Sequence, residues 1–355
     1  MNKKIIWIII FVLILGGVWW ANSRPTVIPT DEPIKIGVIL PLTGDVAVVG
    51  EEVQKGVMIA EKELLTQGLN LKVVYEDDAY TSRLAVTAAS KLLEIDKVEA
   101  AMTLLVEGAK PIIPLFNEKN VPLLVLWDSN VFINTAGPTI YSVGFSTEKA
   151  GETMAVYAYN NLGLKRVALF GHIDAWADII TPAFKNKFES LGGQIVSQDK
   201  ITADTVDYRT HIAKLKQLNP DGVYFPLVPP QSARFLIQAS QLGLKTTLLT
   251  GDALIQDMIV EAGQAAEGIY FTNIYSDEVE ILTQKYRQTF NADPVDTTLV
   301  AFGYDGLMKL VEAKKNSADL LPGLSKVFNG KQSLDKLEKI FQVVNGQPVE
   351  VGTKI

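Results

Sequence analysis

The stretch IKIGVIL at residues 34–40 carries apolar side chains at alternate positions, and Gly37 and Ile39 lie between them without a charge. A strand that is apolar on both faces is typical of the centre of a parallel sheet. The breaker cluster Pro41-Leu42-Thr43-Gly44 follows, and a helical stripe of apolar residues then runs from about residue 51 to 65. This order of strand, tight loop and helix predicts a ligand-facing rim at the carboxyl end of the sheet.

The same alternation continues along the chain in two series. The first series has predicted strands at 71–75, 98–105 and 121–126 and predicted helices at 83–93 and 109–118. The second has predicted strands at 167–170, 194–196, 222–227, 246–250 and 268–271 and predicted helices at 148–161, 182–191, 208–218 and 231–242. Helices at 278–290 and 297–314 and a strand-like segment at 341–344 complete the prediction. Strands and helices that alternate over short connections predict parallel sheets, here in two similar α/β lobes.

An unbroken apolar run, residues 5–20, follows Lys3 and Lys4 near the N-terminus. Lysine ahead of such a run favours a cytoplasmic location for residues 1–4 and export of the rest of the chain. With Ala21 the run is slightly shorter than the ~20 residues that span ~30 Å of hydrocarbon. Trp19-Trp20 favours an uncleaved anchor at 5–21, whereas the small residues after it also fit a cleaved signal peptide. Residues 22–33, rich in proline, are predicted to be a linker.

The composition of the chain argues against several classes of function. The chain has 355 residues, which suits two domains, and a formal net charge of −7. After the first thirty residues, 30 Lys and Arg stand against 40 Asp and Glu, a net charge of −10. This acidic balance argues against nucleic acid or an anionic membrane surface as a partner. The sequence has no cysteine, which excludes disulfides, thiol catalysis and cysteine metal sites.

Five segments together resemble the leucine/isoleucine/valine-binding class of ABC transporter substrate-binding proteins, which have the type I periplasmic-binding fold. They are IKIGVILPLTG at 34–44, VYEDDAYT at 74–81, QASQLGLKTTLLTGD at 238–252, AAEGIYFT at 265–272 and AFGYDGLMKLVEA at 301–313. The resemblance implies two Rossmann-like lobes that close on a ligand by hinge bending. It implies an N-terminal lobe of 34–145 plus 273–325 and a C-terminal lobe of 146–272 plus 326–355.

Site residues are expected in loops at the carboxyl ends of strands in both lobes. In this class one such loop offers hydroxyl groups and backbone N–H groups to the ligand carboxylate. The loop that corresponds here, residues 104–108 (LLVEG), has no hydroxyl group. Its Glu107 would repel a carboxylate, although an acidic residue there also suits the first turn of a helix.

The remaining site residues are also implied by the resemblance. Trp127, Asp128 and Ser129 form a second loop, in which Trp127 would fill the cleft or stack on a ligand. Ser129 would donate to a carboxylate or merely cap a turn. Trp176 would pack on the ligand instead of lying in the core, and Asp252 would pair with its ammonium group instead of only shaping a turn.

The predicted function is capture of an amino acid or similar small compound outside the cytoplasm, by a monomer, for an ABC transporter permease. Alternatives are a membrane-tethered sensor, a binder of a cationic amine, favoured by the acidic Glu107, Asp128 and Asp252, and a structural role without ligand. No catalytic, cofactor or metal motif occurs, and the two histidines, His172 and His211, are far apart. Asp77-Asp78 is interpreted as a solvated strand end.

Overall fold

The computed structural model describes residues 32–127, 135–144, 146–202, 204–274, 279–331 and 338–352. The described part of the first half of the chain forms a parallel sheet in the order β2-β1-β3-β4-β5. Its strands are β1 (Ile34–Leu40), β2 (Leu71–Asp77), β3 (Ala100–Thr103), β4 (Leu123–Val125) and β5 (Ile140–Ser142). The interior strand β1 pairs with both β2 and β3, and all its residues except Lys35 are buried. The prediction of a strand that is covered on both faces is therefore confirmed.

A second sheet has the order β12-β11-β10-β9-β8-β6-β7. Its strands are β6 (Arg166–His172), β7 (Gln194–Ile201), β8 (Gly222–Tyr224), β9 (Thr247–Thr250), β10 (Tyr270–Ile274), β11 (Glu338–Val344) and β12 (Gln347–Glu350). The strands from β6 to β10 pair in parallel, as the alternating pattern predicts.

Helices lie between most successive strands of the described ranges, and their apolar stripes cover the sheets. They are α1 (Ala47–Thr66), α2 (Ser82–Lys91), α3 (Val106–Lys119), α4 (Thr147–Asn160), α5 (Ala177–Ser190), α6 (Arg209–Leu218), α7 (Gln231–Gln241), α8 (Gln256–Ala262), α9 (Val279–Phe290), α10 (Thr297–Asn316) and α11 (Leu320–Val327). The short β5, β12, α8 and α11 are absent from the sequence-based prediction because a few residues give too little periodicity to recognise.

The C-terminal strands correct the prediction of wholly parallel sheets. β10 pairs with β11 in antiparallel orientation, and β11 pairs with β12 in the same way through the turn at Asn345-Gly346. A tight turn of this kind joins only antiparallel neighbours, since a parallel pair needs a crossover of a dozen or more residues. The predicted strand-like segment 341–344 is the second half of β11.

Helices near the end of the described chain pack back on the first sheet. The buried carboxylate of Glu52, in α1, accepts hydrogen bonds from Tyr286 Oη at 2.8 Å and from the Val295 backbone N–H at 3.0 Å. These bonds join α1 to α9 and to the start of α10 across more than two hundred residues of sequence. The predicted lobe boundaries, which assign 273–325 to the N-terminal lobe, stay a prediction.

Two glycines set the distance between α1 and α10. A Cβ atom on Gly56 would lie 1.9 Å from the Val300 carbonyl oxygen, and one on Gly303 would lie 2.0 Å from that of Val53. Backbone atoms cannot rotate away from such a clash as a flexible side chain can. The close crossing of the two helices therefore requires glycine at both positions.

Replacing Gly303 with alanine is expected to lower the free energy of unfolding by about 1–3 kcal/mol, because the added methyl group forces the two helices apart. Denaturant titration of the purified protein measures this change. The exposed helical change Ser240→Ala is the control, and we expect it to alter stability by no more than about 0.5 kcal/mol. Equal stability of Gly303→Ala and wild type would contradict this account of the helix crossing.

Candidate functional site

A cavity of about 40 Å³ lies between the loops of the two sheets. Six of its lining residues follow strands β1 to β4, and six follow β6, β8 and β9; we call it the intersheet cavity. Its lining is Val46, Val49, Tyr80, Leu105, Val106, Trp127, Trp176, Val228, Pro229, Asp252, Ala253 and Ile255. Every member lies beyond the carboxyl end of its strand, where an open parallel sheet presents a ligand-binding crevice. The volume is about three times the minimum that holds one water molecule.

Asp252 joins the two sides of the intersheet cavity. Its Oδ2 accepts a hydrogen bond of 2.7 Å from Trp127 Nε1, which follows the first sheet. Its Oδ1 accepts one of 3.3 Å from Trp176 Nε1, on the same side as Asp252. The carboxylate is 2 % exposed. Three residues that the resemblance implies for the site thus meet at one point, although their role in holding a ligand stays a prediction.

Both tryptophan rings pack against residues that are not part of the cavity lining. Phe302, in α10, stacks on the Trp127 indole with ring centroids 5.5 Å apart and planes 27° apart. On the other side, a Cβ atom on Gly251 would lie 3.0 Å from Trp176 Cζ2 and 2.6 Å from the Ile180 side chain. Glycine at 251 therefore allows the Trp176 indole to lie directly against the loop that carries Asp252. Such contacts fix the ring positions before any ligand arrives.

Glu107 lies beside the intersheet cavity and is not part of its lining. It is in the first turn of α3, where the helix dipole favours an acidic side chain. Its Oε1 accepts a hydrogen bond of 3.0 Å from Ser82 Oγ. Its Oε2 accepts one of 3.4 Å from the backbone N–H of Ala175, the neighbour of Trp176. Glu107 thus makes a second hydrogen bond from one side of the cavity to the other.

The interpretation of Asp77-Asp78 as a solvated strand end is wrong. Asp78 is 4 % exposed, and a Cβ atom on Gly108 would lie 2.5 Å from its Oδ2, which places the carboxyl against the start of α3. Burial raises the pKa of Asp78 to about 6. Asp77 Oδ1 accepts bonds of 2.8 Å from the backbone N–H groups of Leu42 and Ala79, so it joins two of the loops near the cavity.

Sequence reasoning missed Tyr80, the third aromatic residue of the lining. Ala79 and Tyr80 both have positive φ angles, 44° and 58°, which are sparsely populated by residues other than glycine. The backbone N–H of Ala79 donates to Asp77 Oδ1 at 2.8 Å, and that of Tyr80 donates to Asp78 Oδ1 at 2.9 Å. Consecutive Asp residues at the end of a strand are the signal that was available, because Asp favours such turns.

Other predicted residues have different positions. Asp128 and Ser129 lie outside the described residues. His172 is buried and is not part of the cavity lining; its Nδ1 lies 2.7 Å from Asp174 Oδ2, in the loop before α5. His211 lies against Phe170, with ring centroids 5.1 Å apart. Within the described ranges, the carboxylates and histidines form no cluster of three or more that suits a metal ion.

Comparison with known proteins decides the family. A family model described as periplasmic binding protein matches residues 33–343. The chain belongs to the periplasmic binding protein family. As a member, it is a binding protein located outside the cytoplasm. The first strand of the match, β1, is an interior strand of the first sheet.

Individual members resemble the chain over most of its length. It is 30% identical to the Leu/Ile/Val-binding protein BraC3 of Rhizobium johnstonii over 248 residues, which are 68% of this chain and 67% of that protein. The leucine-binding protein LivK of Thermotoga maritima is 26% identical, with a TM-score of 0.82 over 90% of this chain and 98% of LivK. A Rhodopseudomonas palustris solute-binding protein in complex with 4-hydroxybenzoate shares the fold, with 20% identity and a TM-score of 0.82 over 90% and 95% of the two chains.

The N-terminal run is not covered by these findings. Residues 5–21, which the sequence predicts to be an anchor or a signal peptide, lie outside the described residues. In the part of the chain that the structure describes, no helix combines the length and apolar character that crossing a membrane requires.

The raised pKa of Asp78 predicts a specific pH dependence of stability. Its pKa rises from 3.8 to about 6, so the folded state binds a proton between these values that the unfolded state releases. The stabilising contribution is complete below the unfolded value and is lost as pH rises through about 6. Relative to Asp78→Asn, wild type is expected to lose roughly 2–3 kcal/mol of unfolding free energy between about pH 4 and about pH 8.

Denaturant midpoints of both proteins across this pH range measure the difference, and Asp77→Asn is the matched control. Burial pushes the Asp77 pKa up, but hydrogen bonds from Thr43, Ala79 and Leu42 outweigh it and leave the pKa lowered. Asp77 therefore stabilises the fold above its unfolded pKa, and this contribution is lost as pH falls. The two variants should differ from wild type in opposite directions as pH changes; parallel curves would contradict the assignment.

Proposed function

We propose that this periplasmic binding protein captures a small organic solute in the intersheet cavity and delivers it to the permease of an ABC transporter. The observation that carries the proposal is the meeting of Trp127, Trp176 and Asp252, contributed from the two sides of one cavity. A ligand enclosed there contacts loops from both sheets at once. Its binding energy therefore favours the arrangement in which these loops close on it over one in which they are apart.

The similar proteins support this function in general terms. LivK binds leucine, BraC3 is named for leucine, isoleucine and valine, and the Rhodopseudomonas palustris protein is described as part of an ABC transporter. We infer from them the same delivery role for this chain, and we propose separately that it acts as a monomer.

The proposed roles of the site residues follow from their positions. Trp127 and Trp176 supply large rigid apolar surfaces, and Asp252 supplies the negative charge between them. Glu107 adds a second negative charge beside the cavity. Asp128 and Ser129 directly follow Trp127 in sequence and are proposed to extend the ligand contacts of that loop.

We also propose that the protein is not an enzyme. A general acid or base must come within hydrogen-bond reach of a substrate atom. Of the histidines, His172 is bonded to Asp174 outside the cavity lining, and His211 packs on Phe170. Asp252 is engaged by two indole donors, which suits a binding role better than proton transfer.

The binding role predicts that filling the cavity abolishes ligand binding. Ala253 is a lining residue, so the side chain in Ala253→Phe would occupy the space that a ligand needs. A ligand at 100 times its dissociation constant should add about 2.7 kcal/mol to the stability of wild type and almost nothing to that of the variant.

Thermal-shift measurements with compounds released from the protein after native purification test this prediction. Ala292→Phe, in the exposed turn after α9, is the matched control and should keep the full ligand effect. Equal stabilisation of Ala253→Phe and wild type would show that the ligand binds elsewhere. The binding role is contradicted if the preparation releases no compound and if amino acids, amines and benzoates all fail to stabilise wild type.

For the N-terminal run we propose an uncleaved membrane anchor. The full chain should remain with the membrane after an alkaline wash, while a chain that begins at residue 33 should be released. Cell fractionation followed by mass determination of the mature N-terminus measures this. A soluble extracytoplasmic protein that lacks residues 5–21 would show instead that the run is a signal peptide.

A further inference from the structure

The intersheet cavity combines a negative charge with aromatic walls. Asp252 contributes a carboxylate that is almost fully buried, and Tyr80, Trp127 and Trp176 contribute three aromatic rings to the same lining. The faces of aromatic rings carry partial negative charge, which attracts cations within about 6 Å of the ring centre. Charge and rings therefore favour the same kind of ligand group, a cation.

The hydrogen bonds that the Asp252 carboxylate already accepts favour one kind of cation over another. Both carboxylate oxygens already accept indole N–H groups, at 2.7 and 3.3 Å. A primary ammonium carries three N–H donors, each of which needs an acceptor when it leaves water. Of the other eleven lining side chains, only that of Tyr80 carries an oxygen, so few side-chain acceptors remain for three N–H donors. A cation without N–H donors meets this lining at a lower cost, since it needs only charge attraction and close packing.

The shape of the site is also appropriate. The cavity volume of about 40 Å³ suits a compact group of a few heavy atoms. Aliphatic residues from both sides, among them Val49, Leu105 and Ile255, complete the walls and would contact methyl groups. Phe302 covers one face of the Trp127 indole and Nε1 donates to Asp252, so a cation can be attracted only by the opposite face of that ring.

The third ring is held in place by strained backbone. Tyr80 follows Ala79, and both have positive φ angles, which are unfavourable for residues other than glycine. Asp77 and Asp78 hold these two residues through their backbone N–H groups. Strain of this kind clusters at ligand-binding sites, and here it places an aromatic side chain in the cavity wall.

Other ligand classes fit less well. A benzoate would bring a carboxylate toward Asp252 and Glu107, and like charges repel. An α-amino acid also carries a carboxylate, and the loop 104–108, which lines the cavity through Leu105 and Val106, has no hydroxyl donor for it. A neutral apolar compound would bring no charge of its own to the Asp252 carboxylate.

We propose that the ligand presents a quaternary or fully methylated ammonium group to the cage formed by Tyr80, Trp127, Trp176 and Asp252. This inference rests on the proposed function, since it names the ligand class for the same cavity. The rings contribute cation–π attraction, the carboxylate contributes charge, and the aliphatic residues pack against the methyl groups.

Calorimetric titration of the full chain tests the proposal with matched probes. Tetramethylammonium and choline are compared with ethanolamine, with the neutral carbon isostere of choline, and with leucine and benzoate. We expect choline to bind at least about 10-fold more tightly than ethanolamine and than the neutral isostere. Equal affinity for choline and its isostere would overturn the proposal, because the charge would then contribute nothing.

The same panel separates this inference from the proposed function. Binding of leucine or benzoate without binding of either quaternary probe leaves the proposed function intact and overturns the ligand class. Failure of every probe and of every co-purified compound overturns both. Tight binding of choline supports both.

Variants identify the groups responsible. Trp176→Phe keeps a ring face and should weaken choline binding by only a few-fold, whereas Trp176→Leu should weaken it by about 10-fold or more. Asp252→Asn should weaken choline by about 10-fold or more while leaving the neutral isostere unchanged, and that residual binding shows that the variant is folded. Asp178→Asn, the same charge change at an exposed position in α5, is the control and should bind choline like wild type. Equal losses in Trp176→Phe and Trp176→Leu would contradict the cation–π contribution.

Discussion

The hydrogen bond from the Trp127 indole to the Asp252 carboxylate connects the two halves of the molecule at the site, and Trp176, on the same side as Asp252, donates a second bond to it. Trp127 comes from the loop after β4 and Trp176 from the loop after β6, so the carboxylate lies where the two sheets approach each other. A buried carboxylate is costly unless hydrogen-bond donors surround it, and the two N–H groups meet part of that need only when both loops are in position. Closure of the cavity and solvation of Asp252 are therefore coupled. A ligand that changes the charge around Asp252 acts directly on the contact between the halves.

The supporting structure behind this contact is rigid. Phe302 in α10 stacks on Trp127, and α10 in turn crosses α1 at a distance that only glycine at 56 and 303 permits. Glu52 joins α1 to α9 through buried hydrogen bonds. The helices that follow β10 in sequence thus fix a tryptophan that follows β4. Binding sites of this kind depend on groups held in place before the ligand arrives, because ordering them afterwards would consume binding energy.

Members of one binding-protein family differ in what they bind through a few residues at the loop ends. This chain keeps an acidic residue at 252 but has LLVEG at 104–108, with no hydroxyl group, and a buried Asp78 beneath the start of α3. The protein in complex with 4-hydroxybenzoate shows that another protein of the same fold holds an aromatic carboxylate. The fold therefore provides the cavity, and the charge and shape of the lining decide the ligand class.

The sequence alone determined the alternation of strands and helices, because buried strands and breakers are local patterns. Its resemblance to a known family implied the candidates Trp127, Trp176 and Asp252. Tertiary structure decided what depends on distant segments: the shared carboxylate joins residues 125 positions apart in sequence. It also decided the antiparallel end of the second sheet, the burial of Asp78 and the place of Tyr80 in the cavity wall. Local pattern cannot reveal these features, since a residue at a strand end looks the same in sequence whether water or another loop covers it. Burial and charge environment arise only when the chain has brought those loops together.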